Sequence, residues 1–466
     1  AAKYAYQLYS IDDAVVAYKR AETLLSKVAF SENDIYELYA PWGVMLFESD
    51  NPDALESVMK RFLFIGEERG SNLLTGAALD GMSDVRMARN QFAEGLEHAK
   101  NALSYLKASG NIPAQMSALI HRGVFLYMLN GFATSQKSFQ ETLALGEGRE
   151  DKASLYFQGN ANYQMATALT GMGLPAQALT YAEKSLHFMR LSKSSYGPIL
   201  PYSISSLAYY FLGNYEKGRE HALKGIVIAT QTDSWRMMGY ASVHTAMNET
   251  ELASFDAAWK HAQKAIELGN KYKHTEIESM GYKALGDIYS RLNALPQAAG
   301  AYQQGLEVGK ETFGTLENMA RLGLTLSLLG DSHGDDLLQQ AYAYTKAADL
   351  GSILYNAKAI ELSIFVLRKD YAAFEKNAPI IRKLLEERSS GSATLWVDYL
   401  EALADFQRGD LEESLTKLDI LCSPAAPIPF FWIRFRALKL HIQVLERMGK
   451  ESSTPRAELK EMLVKI

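Results

Sequence analysis

One spacing constrains this chain more than anything else in it: the same kinds of residue return about every 40 positions from one end to the other. Gly218, in the string Leu212-Gly213-Asn214-Tyr215-Glu216-Lys217-Gly218, serves as an anchor. Equivalent positions fall at Ala14, Leu55, Gly95, Ser135, Ala178, Ala258, Ala298, Leu338, Phe374 and Ser414. Successive gaps are 41, 40, 40, 43, 40, 40, 40, 40, 36 and 40 residues. A fixed period of this size is the mark of a repeat architecture, in which one supersecondary unit is stacked on the next.

The residues around each anchor say what the unit is. Four and seven positions on lie Ala99 and Ala102, Phe139 and Thr142, Ala182 and Ser185, Ala222 and Gly225, Tyr302 and Gly305. That is the spacing of one helical face. Twelve positions before the anchors lie Ala2, Gly43, Ser83, Gly123, Ala166, Ser206, Ala246, Gly286, Leu326, Leu362 and Ala402, nine of them Gly, Ala or Ser. Small residues on one helix let the next approach closely and interlock. Between the two stretches stand turn signals: Leu129-Asn130-Gly131, Gly171-Met172-Gly173, Leu212-Gly213-Asn214, Leu329-Gly330-Asp331 and Arg408-Gly409-Asp410. Glycine there can take the left-handed conformation that ends a helix. Each unit is therefore a helical hairpin. The expected fold is all-α: a right-handed α-α superhelix of about eleven hairpins over residues 1–422, capped by helices within 423–466. The 36-residue gap after Leu338 and the mid-helix Pro379 predict a bend, and a hinge, in that unit.

The hairpins resemble the tetratricopeptide repeat family. The resemblance rests on Leu212-Gly213-Asn214-Tyr215 with Gly218, Ala222 and Gly225, and on Ala284-Leu285-Gly286 with Tyr289, Ala298, Tyr302 and Gly305. That family has a period of about 34 residues, against about 40–47 for HEAT and armadillo units. The longer period here implies helices extended by most of a turn, with HEAT-like packing as the structural alternative.

Composition removes several function classes. With 48 basic against 54 acidic side chains, the net charge of −6 gives no footprint for a polyanion, so direct nucleic-acid contact is not expected. No uncharged apolar run reaches the roughly 20 residues that span a bilayer. One cysteine, Cys422, excludes an internal disulfide and reads as a buried hydrophobe. Phosphate-binding loops, His-Glu-x-x-His, EF-hand loops and Gly-x-Ser-x-Gly are absent from the sequence. His98, His221 and His261 share one repeat position, too far apart to bind one metal ion. Acidic pairs such as Asp12-Asp13, Asp335-Asp336 and Glu386-Glu387 sit at helix starts or on polar faces, not converging on a cleft. The expectation is a protein that is not an enzyme and needs no cofactor or metal.

What remains is the surface that stacked hairpins make. In tetratricopeptide proteins the first helix of each pair lines a concave groove, the usual ligand site. Positions 18, 15, 11 and 8 residues before each anchor are expected to point into it. In the central repeats these are Tyr127; Asn160, Tyr163 and Thr167; Ser203 and Tyr210; Tyr240; and Lys283, Asp287 and Ser290, with Arg236 one turn earlier. Tyrosines, an amide, hydroxyls and a few charges suit a peptide and equally a polyol.

A second resemblance lies at the start. Ala1-Ala2-Lys3-Tyr4-Ala5 with Tyr9, Ala14, Tyr18-Lys19-Arg20-Ala21 and Leu24-Leu25 is similar to the entry into the helical-repeat sensor region of bacterial signal-transduction NTPases and maltose-activator-type regulators. The resemblance implies an effector domain preceding Ala1 and a groove that captures a small-molecule inducer, a peptide or a protein; low cysteine use and the absence of a targeting signal make the cytoplasm the expected location. The alternative is a constitutive scaffold that grips a partner peptide.

Overall fold

The computed structural model describes residues 11–25, 30–49, 51–129, 131–195, 197–309, 314–347, 362–387, 391–423 and 431–464. Every regular element among them is a helix. In chain order these are α1 (Ile11–Leu24), α2 (Glu32–Glu48), α3 (Pro52–Glu68), α4 (Asn72–Ala88), α5 (Phe92–Ser109), α6 (Ile112–Met128), α7 (Phe132–Gly146), α8 (Lys152–Gly171), α9 (Pro175–Leu191), α10 (Ile199–Phe211) and α11 (Tyr215–Gln231). They continue as α12 (Trp235–Glu251), α13 (Phe255–Tyr272), α14 (Thr275–Arg291), α15 (Leu295–Val308), α16 (Gly314–Leu328), α17 (His333–Ala347), α18 (Tyr371–Glu387), α19 (Gly391–Arg408), α20 (Leu411–Leu421), α21 (Phe431–Arg447) and α22 (Ser453–Leu463). Residues 362–367 are also helical.

The repeat read from the sequence is the repeat of the structure. All eleven anchors lie on helices, ten of them at the fourth residue; Leu338, the sixth residue of α17, is the exception, and the residues preceding α1 lie outside the described ones. The helix-to-helix seam is built from complementary sizes. Where the first helix carries glycine, the second carries a bulky residue four positions past the anchor: Gly43 with Met59, Gly123 with Phe139, Gly286 with Tyr302. A Cβ built on Gly43 would come within 2.8 Å of Met59 Cε, and one on Gly123 or Gly286 would overlap the facing ring. In four hairpins a Ser or Ala on the first helix stands with Ala on the second: Ser83 and Ala99, Ala166 and Ala182, Ser206 and Ala222, Ala246 and Ala262. All seven of these second-helix residues are buried, at 0–1% exposure. Glycine on one helix thus admits a large residue on the other, while two small residues let the helices meet directly.

The turns follow one rule as well. Five residues before the anchor the chain enters the left-handed region, at Asn90 (φ 57°), Gly173 (74°), Gly213 (74°), Ala253 (59°), Asn293 (59°), Lys369 (57°) and Gly409 (94°). Gly330 is left-handed too, at φ 83°, but stands eight residues before Leu338. Gly131 does not: at φ −86° it is the N-cap of α7, and Asn130 lies outside the described residues. Pro379 lies within α18, which runs on through it. In the unit expected to hinge, Leu338 packs beside Gly323 of α16, while the Tyr342 side chain and residues 348–361 lie outside the described residues.

The described helices group into two compact units. The first comprises residues 1–168, 181–201 and 230–234, and the second 169–180, 202–229 and 235–466. The core of the first begins with an aromatic stack, Tyr18 on Trp42 with centroids 5.5 Å apart and Tyr39 on Phe62 at 4.8 Å. The second holds the alanine-rich seam of α12–α15 and a larger cluster formed by α18–α22, into which Tyr215 of α11 also packs. One contact there departs from the neighbour-only pattern of a simple solenoid. Trp432 of α21 donates its indole N–H to the carbonyl of Thr250 at 3.1 Å and lies 5.6 Å from Phe255, so a C-terminal helix docks on the α12–α13 turn. Among the described residues no helix is long and apolar enough to cross a membrane.

Candidate functional site

The positions expected to face inward on the first helices have different surroundings in the two units. In the first unit the inner row starts with charge. Asp80 of α4 accepts from Ser117 Oγ at 2.7 Å and bonds His121 Nδ1 at 2.7 Å, both on α6, while His121 Nε2 lies 3.1 Å from Asp84. Burial opposes the imidazolium, but the two carboxylates outweigh it and raise the His121 pKa well above its ordinary value. Farther along are Tyr127 of α6 and Asn160, Tyr163 and Thr167 of α8, all half-buried. Burial, with Tyr163 adding to it, pushes the Tyr127 phenol up to about 12, so it stays a neutral donor at physiological pH. Asn160 Oδ1 accepts from Gln164 Nε2 at 3.4 Å, and Thr167 Oγ1 donates to the Tyr163 carbonyl at 3.1 Å.

In the second unit the row is formed by α10, α12, α14 and α16, and its centre is closed by ion pairs. Lys283 Nζ lies 3.0 Å from Glu317 Oε2 and 3.6 Å from Asp287 Oδ2. Asp287 also takes Arg321 Nη1 at 2.9 Å and the Tyr302 hydroxyl at 2.7 Å, the latter reaching past Gly286 from the second helix of the hairpin. Lys283 and Asp287 are 2% and 7% exposed, so the centre of this ladder is withdrawn from solvent, while Glu317 and Arg321 at its edge are half-buried. Burial works against both charges, but Glu317 and Asp287 keep the lysine pKa above normal, and Arg321 and Lys283 keep that of Asp287 below normal. Arg291 closes the end of the row on Glu251 at 2.6 Å, and burial, with Glu251 adding to it, pushes Tyr210 up to about 12. At the other end Tyr240 donates to Glu276 Oε2 at 2.6 Å; burial raises that carboxyl's pKa, with Arg236 opposing.

A pair of histidines shows what the environment decides. His121 and His244 hold the same repeat position and use the same atom, Nδ1, toward the corresponding residue of the preceding hairpin: Asp80 for His121, Ser203 at 3.1 Å for His244. With a hydroxyl in place of a carboxylate, burial dominates at His244, Lys283 adds to it, and the pKa falls to about 4. One imidazole is held charged and its counterpart neutral.

The eleven residues expected to line the groove therefore divide. Tyr127, Asn160, Tyr163 and Thr167 fall in the first unit; Ser203, Tyr210, Arg236, Tyr240, Lys283, Asp287 and Ser290 fall in the second. Lys283 and Asp287 meet and neutralise each other, and Ser203 is engaged by His244. Ser290 is half-buried on α14 beyond Asp287. The expected row stopped short of Asp80, Asp84 and Ser117, although the same offsets from anchors Gly95 and Ser135 reach them. His121, Glu251, Arg291, Glu317 and Arg321 sit at other offsets, and only their partners reveal them. Of the equivalent histidines, His221 packs edge-on to Tyr202 and Tyr209, and burial lowers its pKa. Among the described residues there is no group of three metal-ligating side chains. Burial pushes the Cys422 thiol up to about 12.

No family model matches the chain, and no curated protein matches it in sequence. Solved structures do resemble it. A Rap protein complexed with competence and sporulation factor superposes with a TM-score of 0.60 at 12% identity, covering 77% of this chain and 99% of that one. NprR in complex with its cognate peptide NprX gives 0.48 at 14% identity over 69% and 98%. Aspartyl phosphate phosphatase F from Bacillus subtilis gives 0.48 at 12% identity over 78% and 97%. At these identities the Rap likeness establishes the helical-repeat fold alone.

Proposed function

We propose that this chain is a non-catalytic binding region whose inner helix faces hold an extended peptide or protein segment, and that it serves as the sensor of a larger signalling or transcription-regulatory protein. The observation that carries the binding reading is the row Tyr127, Asn160, Tyr163 and Thr167. These half-buried side chains present aromatic faces beside a side-chain amide, whose separate N–H and C=O groups can match those of a peptide backbone. The Rap structure of similar fold was solved complexed with a factor, which supports looking for a ligand on this architecture. The sensor role adds a requirement: the ligand must bind one arrangement of the repeats better than another, since equal affinity shifts nothing.

The binding reading is tested by screening a positional-scanning pentapeptide library and measuring the best binders by calorimetry. Asn160→Ala and Tyr163→Ala are each expected to weaken binding about tenfold, the loss of one well-formed polar or aromatic contact. Val227→Ser, on an exposed second-helix position, should leave it unchanged. Unaltered affinity in both inner-row variants sinks the proposal. The sensor reading is tested on the encoded sequence preceding Ala1, by assaying it for nucleotide hydrolysis with and without these repeats. A constitutive scaffold is the second reading, favoured by the Lys283–Asp287–Arg321 ladder, which fixes the inner face of the second unit without a ligand. A scattering profile that is unchanged by saturating peptide selects the scaffold.

A further inference from the structure

Along the inner face of the second unit the carboxylates are already engaged: Glu251 by Arg291, Glu317 by Lys283, and Asp287 by Arg321 and Lys283. One cation beside them is not. Arg436 stands on α21, one turn beyond Trp432, and it is exposed to water. Among the described residues no carboxylate lies within 4 Å of it.

Its surroundings are built rather than incidental. The guanidinium carbon lies 5.4 Å from the centroid of the Trp396 ring, and Trp396 and Tyr399 of α19 have centroids 5.1 Å apart. Trp396 is held in place by its own indole N–H, which donates to Ser363 Oγ at 3.0 Å. The helix beneath Arg436 is pinned by the Trp432–Thr250 hydrogen bond. Beyond it lies Arg291, whose guanidinium stands 5.8 Å from the Trp432 ring centroid. A guanidinium stacked on an aromatic face keeps its edge N–H groups free for bidentate bonds to a carboxylate, the pairing that its planar fork matches.

We propose that Arg436, resting on the Trp396–Tyr399 shelf, is a carboxylate-binding subsite that receives an acidic group of the ligand. The carboxylate comes from a chain terminus or from an Asp or Glu side chain. This rests on the binding role proposed above, but it is tested without any peptide.

The probes are N-acetyl-phenylalanine as a chain-terminal acid, N-acetyl-aspartamide as a side-chain acid, and N-acetyl-phenylalaninamide as the uncharged control. Binding is read by saturation-transfer NMR and by tryptophan fluorescence on the full chain. The expected result is saturable binding of at least one acid, about tenfold weaker for the amide. Arg436→Gln should lose about tenfold, while Arg436→Lys, which keeps the charge, loses less. Melting curves that match the parent show that the variants fold, and the lysine variant remains informative if the glutamine variant does not. Preference for the first acid names a chain terminus, and for the second a side chain. The proposal is overturned if neither acid binds more tightly than about 50 mM, if Arg436→Gln binds as the parent does, or if inorganic phosphate displaces the acid at equal or lower concentration. Acid binding without any peptide hit would leave the subsite standing while removing the peptide reading. Peptide binding that ignores Arg436 would do the reverse.

Discussion

Gly123 and Phe139 offer a direct test of how the hairpins are held together. Phe139 is 1% exposed, and its ring occupies the space where a Gly123 side chain would stand. Phe139→Ala alone removes a buried ring and leaves a cavity, which costs about 3–5 kcal/mol. Gly123→Ala alone forces a methyl against the ring, an overpacking cost of about 1–3 kcal/mol, reduced by about 1 kcal/mol of helix propensity. Were the two independent, the double variant would lose roughly 3–7 kcal/mol. The structure says that they are not: the double variant recreates the Ala/Ala seam of Ala166 with Ala182 and Ala246 with Ala262. The clash then vanishes and the new methyl fills part of the cavity, so the double loss should be about 2–3 kcal/mol, less than that of Phe139→Ala alone. The assay is urea unfolding followed by circular dichroism, with the slopes compared, because repeat arrays can lose two-state behaviour. If the two losses add within about 0.5 kcal/mol, the residues do not share one volume and the reasoning fails.

Three further outcomes follow from the buried charges and turns. Asp287→Ala strands Arg321 and the Tyr302 hydroxyl and should cost about 3–5 kcal/mol, whereas Lys283→Met leaves Asp287 with both partners and should cost less; chemical denaturation giving the reverse order would contradict the geometry. His244, with its pKa lowered to about 4, must remain neutral in the fold, so its contribution is intact above about pH 6.5 and is lost as pH falls toward 4. His121 has the opposite sign: its raised pKa gives stability that is full below about pH 6.5 and disappears as pH rises through the folded-state value. Thermal melts of His244→Asn and His121→Gln across pH 4–9 should therefore converge on the parent at opposite ends of the range, high pH for His121→Gln and low-pH gain for His244→Asn. Ala253 holds the left-handed turn position at φ 59°, where glycine is unstrained, so Ala253→Gly should raise stability by about 0.5–1 kcal/mol in the same melts.

Much of the architecture was written along the chain, because a helix seam is a local and periodic demand. Gly123 opposite Phe139 and Gly286 opposite Tyr302 had to recur at a set distance, so the period, the hairpins and the turn glycines at 173, 213 and 409 could be counted off the residues. The same arithmetic marked the positions expected to face inward but not their state. Lys283 and Asp287 read as ligand contacts until Glu317 and Arg321, more than thirty residues on, were seen to neutralise them. His121 and His244 are one residue type at one repeat position, and the charge of each depends on whether the preceding hairpin supplies Asp80 or Ser203. Trp432 meeting Thr250 across 182 residues has no periodic signal at all. Sequence by itself determined what each hairpin packs against next, since that contact repeats. Only the tertiary structure decided which polar groups face one another, since Coulomb and hydrogen-bond energies depend on distances in space that no spacing along the chain encodes.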